Sequence, residues 1–187
     1  MALFKSILSL VSAACIGVTL IGTHAAAYEV QETKDPLKPY TKLLLSPPYE
    51  SYMLRAYIEK EKLPRIDLYI VHSYLGDNRR YKSINVQWFD GSIKQPKLDD
   101  VSFDVDCSSF RYARECRSTN HLSMSISPKS WTLMSKWAKE NPSEGINMQL
   151  QSQNGNDFDF KLKSADILKF DEALALYLQT QPVKPVK

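Results

Sequence analysis

Apolar residues recur at every second position over several stretches of the chain. From Ser51 to Lys60, Tyr52, Leu54, Ala56 and Ile58 alternate with polar or charged residues. That is the period of a strand with one dry face. The density of arginine, glutamate and lysine there would also suit a helix, and the alternation decides for strand. "RIDLYIVHSY" follows Pro64 and is rich in β-branched and aromatic residues, a second strand with Ile66, Leu68, Ile70 and His72 in one phase. "GDNRR" is its turn, and "YKSINVQWF" then puts Ile84, Val86 and Trp88 on one side. Asp90-Gly91 is a hairpin signal, although Pro96 lengthens the connection. "VSFDVDC" alternates Val101, Phe103, Val105 and Cys107 with Ser102, Asp104 and Asp106, which predicts a strand whose apolar phase, Cys107 included, points inward. "HLSMSIS" resumes the alternation through Leu122, Met124 and Ile126.

The period then changes. Ser127 is a good N-cap and Pro128 suits the first helical position, so a helix runs through "WTLMSKWAKE" and stops before Asn141-Pro142. "INMQLQS" and "FDFKLKS" predict a hairpin over "QNGND", with Ile146, Met148 and Leu150 facing Phe158, Phe160 and Leu162. A last helix starts at Ser164, carries Asp166 in its positive first turn, and lines up Ile167, Phe170, Leu174 and Leu178. The expected fold class is α+β: an antiparallel β-meander of about five strands, then helix, β-hairpin and C-terminal helix. Residues 28–48 hold four prolines and no steady period, and are expected as an extended arm docked through Leu43 to Leu45. Residues 49–180 form the single domain of this reading, and 181–187 a disordered tail.

The first 27 residues follow neither period. Lys5 precedes an apolar run from Ile7 to about Gly22, which ends in Ala25-Ala26-Ala27, the small-x-small pattern that signal peptidase accepts. At about sixteen residues, diluted by serine, threonine and glycine, the run is short of the roughly 20 apolar residues of a spanning helix. A cleaved signal peptide is expected, and with it a periplasmic or secreted protein. "VSAAC" around Cys15 resembles the lipobox of bacterial lipoproteins, whose cysteine is acylated. Ser12 stands where that pattern usually has leucine, and the apolar run continues past Cys15. Lipid anchoring at Cys15 is therefore the alternative. No other apolar run is long enough to span a membrane. The one near miss to an N-glycosylation acceptor, Asn141-Pro142-Ser143, is blocked by its proline, which leans towards a bacterial protein.

Loss of the leader leaves two cysteines, Cys107 and Cys116, an even count in an oxidising compartment and hence an expected disulfide. Their spacing is far too wide for a thioredoxin-type pair. Only His72 and His121 could complete a four-ligand zinc site, and they do not follow finger-like spacing. Closing so short a loop contributes roughly 2.5–3 kcal/mol by chain entropy.

Charge and motifs then narrow the chemistry. The whole chain has 24 basic and 21 acidic residues. Without Lys5 its formal charge falls from +3 to about +2, a mixed surface unlike that of a nucleic-acid binder. The chain has no G-x-S-x-G elbow, no Ser-x-x-Lys pair, no H-E-x-x-H, no P-loop and no G-x-G-x-x-G. His72, in phase with core residues, is expected as a structural histidine. Asp99, Asp100, Asp104 and Asp106, or "NGNDFD", could attract calcium, but read better as a wet strand face and a turn. No catalytic residue, cofactor or metal ligand is nominated. A carboxylate-pair envelope hydrolase and a lipid-anchored envelope factor stand as the alternatives to a binding protein.

The affirmative features concern contact. Ten tyrosines and three tryptophans are many for 187 residues, and aromatic side chains anchor interfaces at low entropic cost. Tyr57 and Tyr69 lie opposite their strands' aliphatic phases and are candidate exposed aromatics. Arg111, Tyr112, Arg114 and Arg117, in and beside the disulfide loop, form a candidate interaction loop for an anionic envelope or extracellular partner. Arg79 and Arg80 add a second basic turn. The expectation is a small exported accessory protein that acts through surface contacts. Intact-mass measurement of the exported protein should give a chain starting at Tyr28, and an acylated chain starting at Cys15 would refute the cleaved leader.

Overall fold

A computed structural model of the protein describes residues 29–34, 40–76, 78–107 and 116–180. The first strands are β1 (Glu29–Lys34), β2 (Tyr40–Ser46), β3 (Tyr52–Glu59), β4 (Arg65–Leu75) and β5 (Tyr81–Gln87). They are followed by β6 (Ile93–Lys94), β7 (Asp99–Asp106), β8 (Arg117–Ile126) and helix α1 (Pro128–Glu140). The hairpin β9 (Gly145–Ser152) and β10 (Phe158–Lys163) leads into helix α2 (Ser164–Thr180). The order of elements is the expected one: meander, helix, hairpin, C-terminal helix. The strands divide between two antiparallel sheets, one six-stranded in the order β1-β2-β3-β4-β8-β7 and one four-stranded in the order β10-β9-β5-β6. Among the described residues no helix is long and apolar enough to cross a membrane.

Cross-strand register turns the alternation into a core. Leu54 pairs with Leu68, which pairs with Met124, and the rows Ala56–Ile66–Ile126 and Tyr52–Ile70–Leu122 flank it. These side chains join Ile84, Val86, Ile146, Met148, Leu150 and Leu162 of the small sheet in one buried cluster. Both helices feed the same cluster through Trp131, Met134, Ala138, Ile167, Phe170 and Leu174. The helices contact one another through the edge-on rings of Trp131 and Phe170, and Asp171 accepts from both the Trp131 indole and the Ser135 hydroxyl. Ser127 caps α1 as its sequence suggests, accepting from the Ser130 amide. Leu178, placed on the apolar stripe of α2 by period, is exposed where the helix end runs past the core. Gly145 marks a close approach: a Cβ there would lie 2.8 Å from the carbonyl oxygen of Leu162.

Two expectations need correction. Residues 28–48 do not form an arm: their described positions supply β1 and β2, and Leu43 and Leu45 pair with Ala56 and Leu54 inside the core. Prolines at 36, 39, 47 and 48 bracket the strands and do not prevent them, since a strand tolerates proline at its ends. The apolar phase of β7 is not buried either. Val101 and Val105 are 53% and 54% exposed, and Cys107 is exposed too. β7 is the outermost strand on its side, its register shifts between Asp100 and Ser102, and its inner-phase neighbours on β8 are the polar Ser118 and Asn120. The alternation identified a strand but not a covering layer. The disulfide is present between Cys107 and Cys116, at the end of β7 and the start of β8. The Gly76 amide donates to the Cys116 carbonyl, tying the end of β4 to the same corner.

The two sheets are joined at two buried polar points. At one, the Tyr52 hydroxyl donates to Asp166 in the first turn of α2 at 2.5 Å and accepts from the Lys163 amide at 3.2 Å. At the other, His72 stacks on Phe158 with ring centroids 3.7 Å apart and meets the Tyr81 hydroxyl at 2.7 Å. Burial, assisted by the positive charge of Arg79, pushes the His72 imidazole from 6.5 down to about 4.

Two measurements probe these joints. Tyr52→Phe leaves the buried Asp166 carboxylate without its donor and should lower unfolding free energy by about 2 kcal/mol, with most of the wild-type circular dichroism retained. For His72 the unfolded chain binds the proton that the folded chain refuses between about pH 6.5 and 4. The histidine's contribution is therefore complete above the upper value and lost as pH falls through the window. Urea midpoints taken at either side of that window should fall less in His72→Gln than in the wild type.

Candidate functional site

On the outer side of the six-stranded sheet the side chains are out of phase with the core, and they are not the scattered charges of an ordinary wet face. Tyr57 and Arg55 come from β3, Arg65, Asp67 and Tyr69 from β4, His121, Ser123 and Ser125 from β8, and Asp104 from β7. Register sets them side by side: Tyr57 opposite Arg65, Arg55 opposite Asp67, and Tyr69 opposite Ser123.

Contacts run across the sheet as one ladder. The rings of Tyr40 and Tyr57 meet edge to face at 5.1 Å. Tyr57 is flanked by the guanidinium groups of Arg65 at 4.3 Å and Arg55 at 5.8 Å. Arg55 then lies 3.9 Å over the ring of Tyr69. The Tyr69 hydroxyl is 2.9 Å from Nδ1 of His121, and Nε2 of His121 is 3.0 Å from Oδ2 of Asp104. Five strands, β2, β3, β4, β8 and β7, each contribute a rung.

The two arginines differ in what they have left to bind. Arg65 reaches Asp67 at 3.7 Å, and Asp67 also accepts from the Ser125 hydroxyl. Arg55 donates to Ser123 and stacks on the tyrosines, its buried Nε has no partner, and no carboxylate pairs with it among the described residues. Cation–π stacking holds a guanidinium plane in place without neutralising it. Arg55 is thus a fixed, half-buried cation with capacity for an anion.

At the far end of the ladder, Asp104 accepting from Nε2–H leaves Nδ1 of His121 to accept from the Tyr69 phenol. This chain of contacts orients the phenol. The other described histidine, His72, is buried, stacked on Phe158 and bonded to Tyr81, a structural position. Asp67 is engaged with Arg65 and Ser125, and Asp104 with His121.

Of the residues nominated from sequence, Tyr57 and Tyr69 lie together on this face, half-buried and bridged by Arg55. Arg111, Tyr112 and Arg114 lie outside the described residues. Arg117 is exposed at the start of β8, paired in register with Asp106 and Leu75, away from the ladder. Arg79 rests on the ring of Tyr74 at 4.4 Å, and its amide donates to the Tyr74 hydroxyl. Tyr49, 99% exposed at a left-handed position between β2 and β3, is the most exposed aromatic of the tyrosine-rich start. The sequence reading missed Arg55 and weighed His121 and Asp104 only as metal ligands, which it set aside. Each sits out of phase with its strand's apolar set, a signal that marks the face, but their meeting depends on β8 lying between β4 and β7. Among the described residues no group of three or more histidine, cysteine, aspartate or glutamate side chains could hold a metal ion. Compared with models of protein families, with curated proteins and with solved structures, the chain matches none.

Proposed function

We propose that the protein is a small exported binding protein, periplasmic or secreted, which engages an anionic envelope or extracellular partner through the tyrosine–arginine face of its six-stranded sheet. One observation carries the reading: Arg55 is held over Tyr69 with no carboxylate paired to it among the described residues. A half-buried guanidinium with no carboxylate in direct contact and an unpartnered Nε keeps hydrogen-bonding capacity that a purely structural face has no reason to leave unused. Flanking tyrosines and Arg65 supply flat, rigid area around it, the composition of an interface anchor. A bound carboxylate would complete Arg55 by the charge-assisted hydrogen bonds that its planar fork favours. Arg117 lies farther along the same sheet's edge, where it would extend the contact.

A fluorescent oligoglutamate peptide tests the reading. Its binding to the wild-type protein should weaken with added salt, and Arg55→Ala should reduce affinity at least about tenfold, or ~1.4 kcal/mol, with the melting temperature nearly unchanged. Equal binding of the peptide to Arg55→Ala, or equal binding of oligolysine to the wild type, would refute an anion-reading face.

A further inference from the structure

The two sheets part along a seam on the side of β6. A cavity of about 250 Å³ opens there, between β5 and β6 of the small sheet and β8 and α1. Val86, Trp88, Ile126, Met124, Met134 and Met148 form its wall. Three of the chain's five methionines therefore meet in one place. Unbranched thioether side chains re-pack readily around apolar guests.

The mouth has the opposite chemistry. Lys94 lies on the rim, its Nζ 4.6 Å from the centre of the Trp88 ring. It forms no ion pair among the described residues. Asp90 is the acid that feels its charge, and that carboxylate is already held by the amide and hydroxyl of Ser92. Ser127 and Ser130 complete the rim where α1 begins, and the first turn of α1 carries no acidic residue. The positive end of the helix dipole is left uncompensated beside the lysine. Drug-sized ligands fill pockets of roughly 300–1,000 Å³, so this cavity suits something smaller, with a single apolar chain.

We propose that the seam binds a single-chain aliphatic carboxylate, with its tail among the methionines and its head group at Lys94 and the start of α1. The site is separate from the arginine ladder. Met124 and Ile126 of β8 face the seam; Ser125 between them also lines it but gives its hydroxyl to Asp67, and His121 and Ser123 of the same strand belong to the outer face. Charge decides against a neutral or cationic head group, and volume decides against a two-chain lipid.

The test uses the protein with its methionine methyl groups carbon-13 labelled, titrated with decanoate below its micellar concentration and, separately, with decyltrimethylammonium. Decanoate should shift the methyl signals of Met124, Met134 and Met148 saturably. Met53, on the outer face of the six-stranded sheet, should stay still. Lys94→Glu, at an exposed position, should retain the wild-type melt and bind decanoate at least about tenfold more weakly. The ammonium should bind the wild-type protein more weakly than decanoate by a similar factor. No saturable shift, equal movement of Met53, unchanged affinity in Lys94→Glu, or equal binding of the ammonium would each overturn the proposal.

Discussion

The hydrogen bond from Tyr52 to Asp166 is the contact on which the arrangement of the two sheets and two helices turns. Tyr52 rises from β3 at the centre of the large sheet's dry face, and Asp166 lies in the first turn of α2, which begins where β10 of the small sheet ends. Both side chains are almost wholly buried. A carboxylate in such a place must be hydrogen-bonded, since burying it unpaired costs far more than one ordinary bond contributes. Burial and the Asp166 bond push the phenol well above its usual range, so Tyr52 remains a donor. The Lys163 amide closes the other side of the hydroxyl, and the Lys163 ammonium pairs with Glu50 outside. The macrodipole of α2 favours a negative charge at that turn. A polar contact of this kind selects one docking of helix and sheet where apolar packing alone would accept several.

Around this joint the large sheet works as a partition. Its inner phase is Leu, Ile, Met and Tyr; its outer phase is Tyr, Arg, Asp, Ser and His. The outer face is too aromatic and too well connected to be mere solvent surface, because every rung from Tyr40 to Asp104 has a partner at contact distance. Such a ladder is rigid, and rigid aromatic and arginine groups lose little entropy when a partner arrives. The seam offers the opposite kind of surface. Its methionines are adaptable, its volume is small, and its only strong electrostatic feature is at the mouth. Two chemically distinct surfaces thus lie on opposite sides of β8, separated by the thickness of one strand.

Cys107 and Cys116 contribute rigidity where the partition is weakest. β7 is an edge strand with exposed valines, yet it supplies Asp104, the last rung of the ladder. The bridge to the start of β8 keeps that edge strand in register with His121, and the Gly76 amide on Cys116 ties in the end of β4. The disulfide expected from the cysteine count thus gives mechanical support to Asp104, three positions before Cys107.

Read alone, the residues specified the type of each element from β3 onward, the two-residue β6 excepted, and most of their phase. Alternation placed Leu54, Leu68 and Met124 on buried faces, Ser127 and Pro128 opened α1, and the pairing of Phe158, Phe160 and Leu162 with Leu150, Met148 and Ile146 followed from the length of one turn. These are local properties, set by period, cap and loop length over a few residues. What remained hidden was non-local. Two sheets instead of one, β8 between β4 and β7, exposed valines on β7 and strands β1 and β2 in place of an arm all depend on which surfaces cover which. Asp166 could be read as a helix-dipole residue, but not as the acceptor for a tyrosine 114 positions away. Arg55, Tyr69, His121 and Asp104 were each visible as polar residues on a strand's second face. Their union is a fact of register and strand order, which only packing of the whole chain decides.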